Sequence, residues 1–181
     1  MIIRPAIPAD AAALQAIYAH HVLHGAGTFE EEPPTVADME GRMEAVLRRG
    51  LPYLAAVVED RVAGFAYAAP FRLRSAYRFT AEDSIYIHPE HQGQGVGKTL
   101  LETVVGVCER AGLHQLMAVI GDSENKASIG VHRACGFALT GVSPGVGFKH
   151  GRWVDVVWLL RPLNGGVDAA PQVKGLDLGA S

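Results

Sequence analysis

The chain has 181 residues, 49% of them hydrophobic, and a formal net charge of -3. That is one domain's length with enough apolar content to bury a core, which excludes general disorder and a second large domain. The charge provides no broad attraction for nucleic acid or an anionic membrane, and no run reaches the ~18 apolar residues that cross a bilayer.

Only two cysteines occur, Cys108 and Cys135, and no charged-then-apolar leader follows Met1, so a cytoplasmic protein is expected. Ile2-Ile3 reads as a short strand. Asp10 is placed to cap a helix with apolar positions Ala13, Leu14, Ile17, Tyr18 and His21, ended by Gly25 and Gly27. His20, His21 and His24 lie close on that helix, but no Asp or Glu accompanies them at ligand spacing, so no metal site is expected. After the turn-rich Thr28 to Pro34, Thr35 and Asp38 form a capping pair for a second helix through Met39, Met43, Val46 and Leu47. Tyr53 to Glu59 and Val62 to Ala69 read as two strands about a turn at Asp60-Arg61. Pro70 to Phe79 sets Arg72, Arg74 and Arg78 among Phe71, Tyr77 and Phe79, the make-up of a loop that suits a small anionic ligand or of a solvated basic loop with its aromatics packed beneath.

The chain re-enters the sheet at Thr80, and its strand ends in Ser84-Ile85-Tyr86-Ile87. Gln92-Gly93-Gln94-Gly95-Val96-Gly97-Lys98 follows at the start of a helix. Three glycines in five residues at a helix N-terminus turn tightly and leave several N–H groups facing outward, an anion cradle to which Lys98 adds a mobile cation. The helix runs to about Ala111 with Leu100, Leu101, Val104, Val105 and Cys108 inside, and Gly112 ends it. Gln115 to Ile120 is apolar enough for a strand buried on both faces, parallel to the one before the crossover helix. Asn125 to Cys135 is a shorter helix, and Phe137 to Val142 and Trp153 to Leu160 complete the sheet. Both cysteines read as packing residues. The Gly- and Ala-rich stretch after Pro162 reads as a disordered tail, which divides the chain into a domain at 1–162 and a tail at 163–181.

Two templates compete for the glycine loop. A nucleotide P-loop needs a glycine where Gln92 stands, with Leu116 to Ile120 imitating a magnesium-binding strand. The other template, Gln-x-x-Gly-x-Gly, is filled by Gln92, Gly95 and Gly97 and resembles the acyl-CoA pyrophosphate loop of the GNAT N-acetyltransferase superfamily. Asn125-Lys126-Ala127-Ser128, then His132 and Gly136-Phe137, resembles the superfamily's second motif. Thr28-Phe29-Glu30, Arg74 to Tyr77, Thr80-Ala81-Glu82, Ala118 to Gly121 and Gly147 to Trp153 are similar to the phosphinothricin and methionine sulfoximine N-acetyltransferases.

The resemblance implies an α/β (α+β) GNAT fold: a mixed sheet of about seven strands, splayed between the fourth and fifth, with about four helices. It implies acetyl-CoA as co-substrate, held by the main chain of Ile85, Tyr86 and Ile87, by Gln92, Gly93, Gln94, Gly95, Val96, Gly97 and Lys98, and by Asn125 and Ser128. Glu82 matches the family's general base. His132 stands where many members carry a tyrosine that protonates the departing thiolate, and is either that acid or an alternative base. Phe29, Glu30, Arg72, Leu73, Arg74, Tyr77 and Lys149 are the acceptor-binding candidates. The implied reaction is direct acetylation, in a ternary complex, of a small amino acid's α-amine by a homodimer that uses no metal, nucleic acid or membrane. Acetylation of another amine or a protein N-terminus, and a non-catalytic CoA sensor, are the alternatives.

Overall fold

Apolar runs of two periods, alternating and helical, sort the described residues into seven strands and four α-helices. A computed structural model describes residues 1–179. The strands are β1 (Ile2–Pro5), β2 (Tyr53–Val58), β3 (Arg61–Pro70), β4 (Thr80–Ile87), β5 (Gln115–Gly121), β6 (Ala138–Lys149) and β7 (Arg152–Pro162). The helices are α1 (Ala11–His24), α2 (Val36–Leu47), α3 (Val96–Arg110) and α4 (Lys126–Ala134). One mixed sheet runs β1-β2-β3-β4-β5-β7-β6, with β4 and β5 parallel and every other neighbouring pair antiparallel. Among the described residues no helix is long and apolar enough to cross a membrane.

Successive side chains of β4 face opposite sides of the sheet, which tells where the helices lie. Tyr86 packs on Tyr18 and His21 of α1, with ring centroids 4.8 and 5.5 Å apart. Ile85 and Ile87 point the other way, towards Gly97 of α3. So α1, joined by α2, covers one face, and α3, joined by α4, covers the other. Alanines at 55, 56, 63, 66, 68 and 81 are fully buried in the central strands, where a small side chain lets helices approach. Leu14, Ile17, Phe65, Leu100, Leu101, Leu116 and Leu159 fill the remaining core.

Several local readings hold, and others shift for identifiable reasons. Thr35 and Asp38 form the capping box of α2, with Asp38 N–H donating to Thr35 Oγ1 at 3.1 Å and Thr35 N–H to Asp38 Oδ2 at 2.9 Å. Asp10 does not cap α1: its carboxylate takes two bonds from Arg4, at 2.7 and 2.8 Å, and one from the Ile7 N–H at 2.9 Å, closing the 3-10 turn Pro8–Asp10 ahead of that helix. The β2–β3 turn falls one residue early, on Glu59 and Asp60, both with positive φ (47° and 60°) as a type I′ hairpin requires. β6 continues to Lys149, well beyond the expected end at Val142, because register shifts at Leu139/Gly141 and Ser143/Gly147 absorb the glycines and Pro144 that break its alternation.

Beyond Pro162 the described residues touch the domain at intervals as far as Leu176. Leu163 is in the core, Asn164 Nδ2 donates to the carbonyls of Glu109 and Leu113 at 2.8 and 2.9 Å, and His114 Nδ1 meets the Gly166 carbonyl at 2.9 Å. Further on, Val173 lies against Gly112, and the Leu176 N–H donates to the Arg78 carbonyl at 2.8 Å.

Candidate active site

The site begins where the sheet comes apart. β4 pairs with β3 as far as Ile87, but with β5 only from Thr80↔Gln115 to Asp83↔Ala118. Bonds from Phe71 N–H to the Thr80 carbonyl (3.3 Å) and from His88 N–H to the Ala63 carbonyl (2.9 Å) show that the even-numbered residues of β4 bond towards β3. The odd-numbered Ile85 and Ile87 therefore turn their N–H and C=O groups into the gap left by β5. Tyr86 departs from the sequence expectation: its main chain bonds to β3, and its ring packs on α1. Into the same gap His21 projects from α1, its Nε2 lying 2.9 Å from the Ile87 carbonyl. A carbonyl only accepts, so this nitrogen carries the hydrogen. Burial is the main cause lowering the His21 pKa, opposed by that carbonyl.

The gap opens into a cleft of about 670 Å³ that runs to the start of α3. Gly93 and Gly95 have positive φ (73° and 82°), and a side chain at either would stand in open space, so the main chain there is bare towards the cleft. Gly95 is the N-cap of α3 and brings no side-chain cap, which leaves the first-turn N–H groups of Val96, Gly97 and Lys98 facing outward. Gln92, Gly93, Gly95, Val96, Gly97 and Lys98 all line the cleft. Gln94 does not: its side-chain amide donates to the Glu90 carbonyl at 2.8 Å and so braces the loop. Asn125 and Ser128 line the opposite wall, where Asn125 Oδ1 caps α4 by accepting from the Ser128 N–H at 3.2 Å.

Glu82 and His132 are on opposite faces of the sheet. Glu82 is half-buried on the α1 face, and burial raises its pKa, partly offset by Arg72 and reinforced by Asp83. His132, from α4, lines the deep end of the cleft. Its Nε2 is 2.9 Å from Asp83 Oδ2 and its Nδ1 2.7 Å from the Ser128 carbonyl, and the two side chains of the pair are only 3% and 1% exposed. Burial pulls the imidazole pKa down, yet the bond and charge of Asp83, with the Ser128 carbonyl, outweigh it and leave the pKa raised. Asp83 escaped the sequence reading, and His21 entered it only as a stripe position of α1 and a rejected metal ligand. The signal for Asp83 was strand alternation, which turns the residue after Glu82 towards α4. Among the described residues no group of three His, Cys, Asp or Glu side chains is placed to hold a metal. Burial pushes the Cys108 thiol up to about 12, in keeping with packing rather than nucleophilic chemistry.

The acceptor candidates lie outside the lining of this cleft. Arg72 stacks on Phe71, 4.3 Å from the ring centroid, on the same loop as exposed Leu73, Arg74 and Tyr77. Phe29 lies against Gly121 and Gly147; a side chain at 147 would collide with its ring, and one at 121 with the Ala26 carbonyl. Two of the expected residues are already engaged. Glu30 accepts from Arg42 at 2.7 and 3.1 Å and from the Tyr18 hydroxyl at 3.0 Å, while buried Lys149 donates to the Thr28 carbonyl at 2.7 Å. Their charges hold the Thr28-Phe29-Glu30 segment in place.

The Acetyltransferase (GNAT) family model matches residues 15–137, and the chain belongs to that family. It is 53% identical over 163 residues to the phosphinothricin N-acetyltransferase of Alcaligenes faecalis, covering 90% of this chain and 83% of that protein. It is 38% identical over 164 residues to the L-methionine sulfoximine/L-methionine sulfone acetyltransferase of Salmonella typhimurium, covering 91% and 95%. Among solved structures, the GNAT superfamily phosphinothricin acetyltransferase of Sinorhizobium meliloti in complex with acetyl-CoA superposes with a TM-score of 0.91 at 45% identity, over 94% of this chain and 92% of that one.

Proposed function

We propose that the chain transfers acetyl from acetyl-CoA to the α-amine of a small amino acid-like acceptor of the phosphinothricin or methionine sulfoximine type, by direct attack in a ternary complex. The observation that carries this reading is the continuity of one open main-chain edge, at Ile85 and Ile87, with the glycine cradle of α3. A pantetheine arm carries amides that pair with a free strand edge as another strand would, and a diphosphate needs unobstructed N–H groups at a helix start. The cleft provides both. Acetyl-CoA bound there supplies an acetyl group already activated as a thioester.

The chain's own residues do the rest. An ammonium has no lone pair, so Glu82 takes a proton from the acceptor, directly or through water, and its raised pKa brings it closer to neutrality than an ordinary glutamate. An N–H of the Ile85–Ile87 edge polarises the thioester carbonyl; removing an oxyanion donor of this kind costs roughly a hundred- to thousandfold in rate. Holding amine and thioester in line supplies about 7–11 kcal/mol of the barrier. His132 is the acid towards the departing sulfur or an alternative base, its ring held between Asp83 and the Ser128 carbonyl. Glu82 and His132 approach the reacting bond from opposite faces, through the gap in the sheet. Arg72 and Arg74 bind the acceptor's carboxylate or phosphinate, with Leu73, Tyr77 and Phe29 around it. The basic loop favours a small anionic acceptor over a peptide N-terminus.

A homodimer is part of the proposal, supported by Val142, Val146, Phe148 and Trp153, all about half or more exposed on the β6–β7 hairpin. Sedimentation velocity checks it, and a monomer at working concentration would count against it.

Titration calorimetry with acetyl-CoA, followed by thiol release with methionine sulfoximine and phosphinothricin, tests the reading. Micromolar binding and acceptor-dependent thiol release are expected. Binding without release would favour the CoA sensor, and no binding at millimolar acetyl-CoA would overturn both.

A further inference from the structure

We propose that His21 is a binding residue for the pantetheine arm: while its Nε2–H holds the Ile87 carbonyl, its Nδ1 lone pair accepts a hydrogen bond from the pantoyl hydroxyl, the group of the arm next to the diphosphate. This rests on the acetyltransferase reading above and assigns a further contact within the same cleft.

The neighbour of the ring places its hydrogen. The Ile87 carbonyl accepts only, so the hydrogen within the 2.9 Å contact is on Nε2. Burial is the main cause lowering the His21 pKa; the Ile87 carbonyl opposes it and the His20 ring lowers it further, so the neutral imidazole fills this place at neutral pH. A neutral ring with its hydrogen on Nε2 has a lone pair on Nδ1. Nδ1 has no hydrogen-bond partner among the described residues, yet it is not sealed from solvent. His21 lines the cleft, so the open space that Nδ1 meets is the cleft's own. Tyr86 and His20 keep the ring from turning, with centroids 5.5 and 5.6 Å away.

Packing does not account for an imidazole here. His21 continues the stripe of α1 that carries buried Leu14, Ile17 and Tyr18, where a leucine would be desolvated without leaving a polar atom to satisfy. The bond that its side chain makes is to a strand-edge carbonyl beyond the last β4–β5 pair, which water in the gap would otherwise hydrate. Exchanging that water for an imidazole adds little to the stability of the fold.

The place of Ile87 along the cleft tells which part of the ligand arrives there. In coenzyme A the order is diphosphate, pantoyl hydroxyl, first amide, second amide, sulfur. In the protein the order inward from the start of α3 is residues 93–98, then Ile87, Ile85 and the last β4–β5 pair at Asp83. With the diphosphate at the cradle, the pantoyl end lies beside Ile87. His21 already occupies one lone pair of the Ile87 carbonyl, and Nδ1 supplies an acceptor in its place. A neutral acceptor suits this position, because a carboxylate so close to the diphosphate would repel it.

The test uses His21→Gln, whose amide nitrogen reaches where Nε2 lies and keeps a donor for the Ile87 carbonyl, but which has nothing at the place of Nδ1. Calorimetry compares acetyl-CoA with 3′-phosphoadenosine 5′-diphosphate, the same nucleotide head without the arm. The expected result is a Kd for acetyl-CoA raised about fivefold or more, a Kd for the head unchanged within about twofold, and an unmoved thermal unfolding curve. A loss below about twofold for acetyl-CoA, or an equal loss for both ligands, overturns the proposal. Should His21→Gln be poorly folded, wild type decides by itself. With its imidazole nitrogens labelled for NMR, His21 is identified among the eight histidines by its contact with the Tyr86 ring. Its Nδ1 resonance is expected to move upfield on adding acetyl-CoA and to stay in place with the nucleotide head; a resonance that acetyl-CoA leaves unmoved overturns the proposal. Failure of wild type to bind acetyl-CoA removes the acetyltransferase reading together with this proposal, whereas binding with no change at His21 removes this proposal alone.

Discussion

At the residue scale, two adjacent acids in β4 have different surroundings because a strand turns successive side chains to opposite faces. Glu82 meets the α1 side near Arg72, and Asp83 meets His132 of α4. Glu82→Gln keeps the shape and removes the proposed base, so kcat/KM for the acceptor should fall by about 10²–10⁴. The pH profile carries the sign. In the proposed role Glu82 works ionised, so wild-type kcat/KM is expected to rise as pH climbs through its pKa, a limb that burial moves upward from the ordinary glutamate position. Steady-state kinetics should show the limb vanish in Glu82→Gln; an unchanged kcat/KM at limiting pH would remove Glu82 from the role. Local chemistry made Glu82 legible as a candidate, whereas the Asp83–His132 contact joins residues 49 positions apart and emerges only when α4 is folded back over β4.

At the element scale, the start of α3 joins a backbone requirement to a ligand requirement. Gly95, at φ 82°, holds a conformation that a β-branched residue occupies only with strain of about 1–3 kcal/mol. Gly95→Val should therefore lower stability by that order. It should also weaken acetyl-CoA binding about tenfold or more, since its methyl groups enter the space over the N–H groups. Thermal unfolding and calorimetry check the two effects, and unchanged affinity would place the diphosphate elsewhere. This loop and the α2 capping box were readable because their rules act within seven residues or fewer. Asp10 misled because a cap needs only a short acceptor before a helix, and Arg4, six residues earlier, claims the carboxylate first. The true length of β6 was hidden for a related reason, since its bulges erase the alternation by which a strand is recognised.

At the scale of the whole molecule, the chain beyond Pro162 ties three separate places together: the end of α3 through Asn164, the His114 turn through Gly166, and the base of the arginine loop through Leu176. Composition cannot show this, because the anchors are a few side chains and main-chain groups scattered among glycines and alanines. Removing residues 164–181 should lower stability by about 2 kcal/mol, or 4–8 °C in Tm by scanning calorimetry. The loosened loop should raise KM for an acidic acceptor while leaving acetyl-CoA affinity alone. Equal KM values for full-length and shortened chains would show that the loop stands without this support.

The parting of β4 from β5 has a mechanical consequence. The sheet is two leaves held by four residue pairs, Thr80 to Asp83 against Gln115 to Ala118, like a book bound along only part of its spine. In the proposed complex an extended molecule lies along that gap and adds the missing stitches, so the loaded protein is expected to be stiffer than the free one.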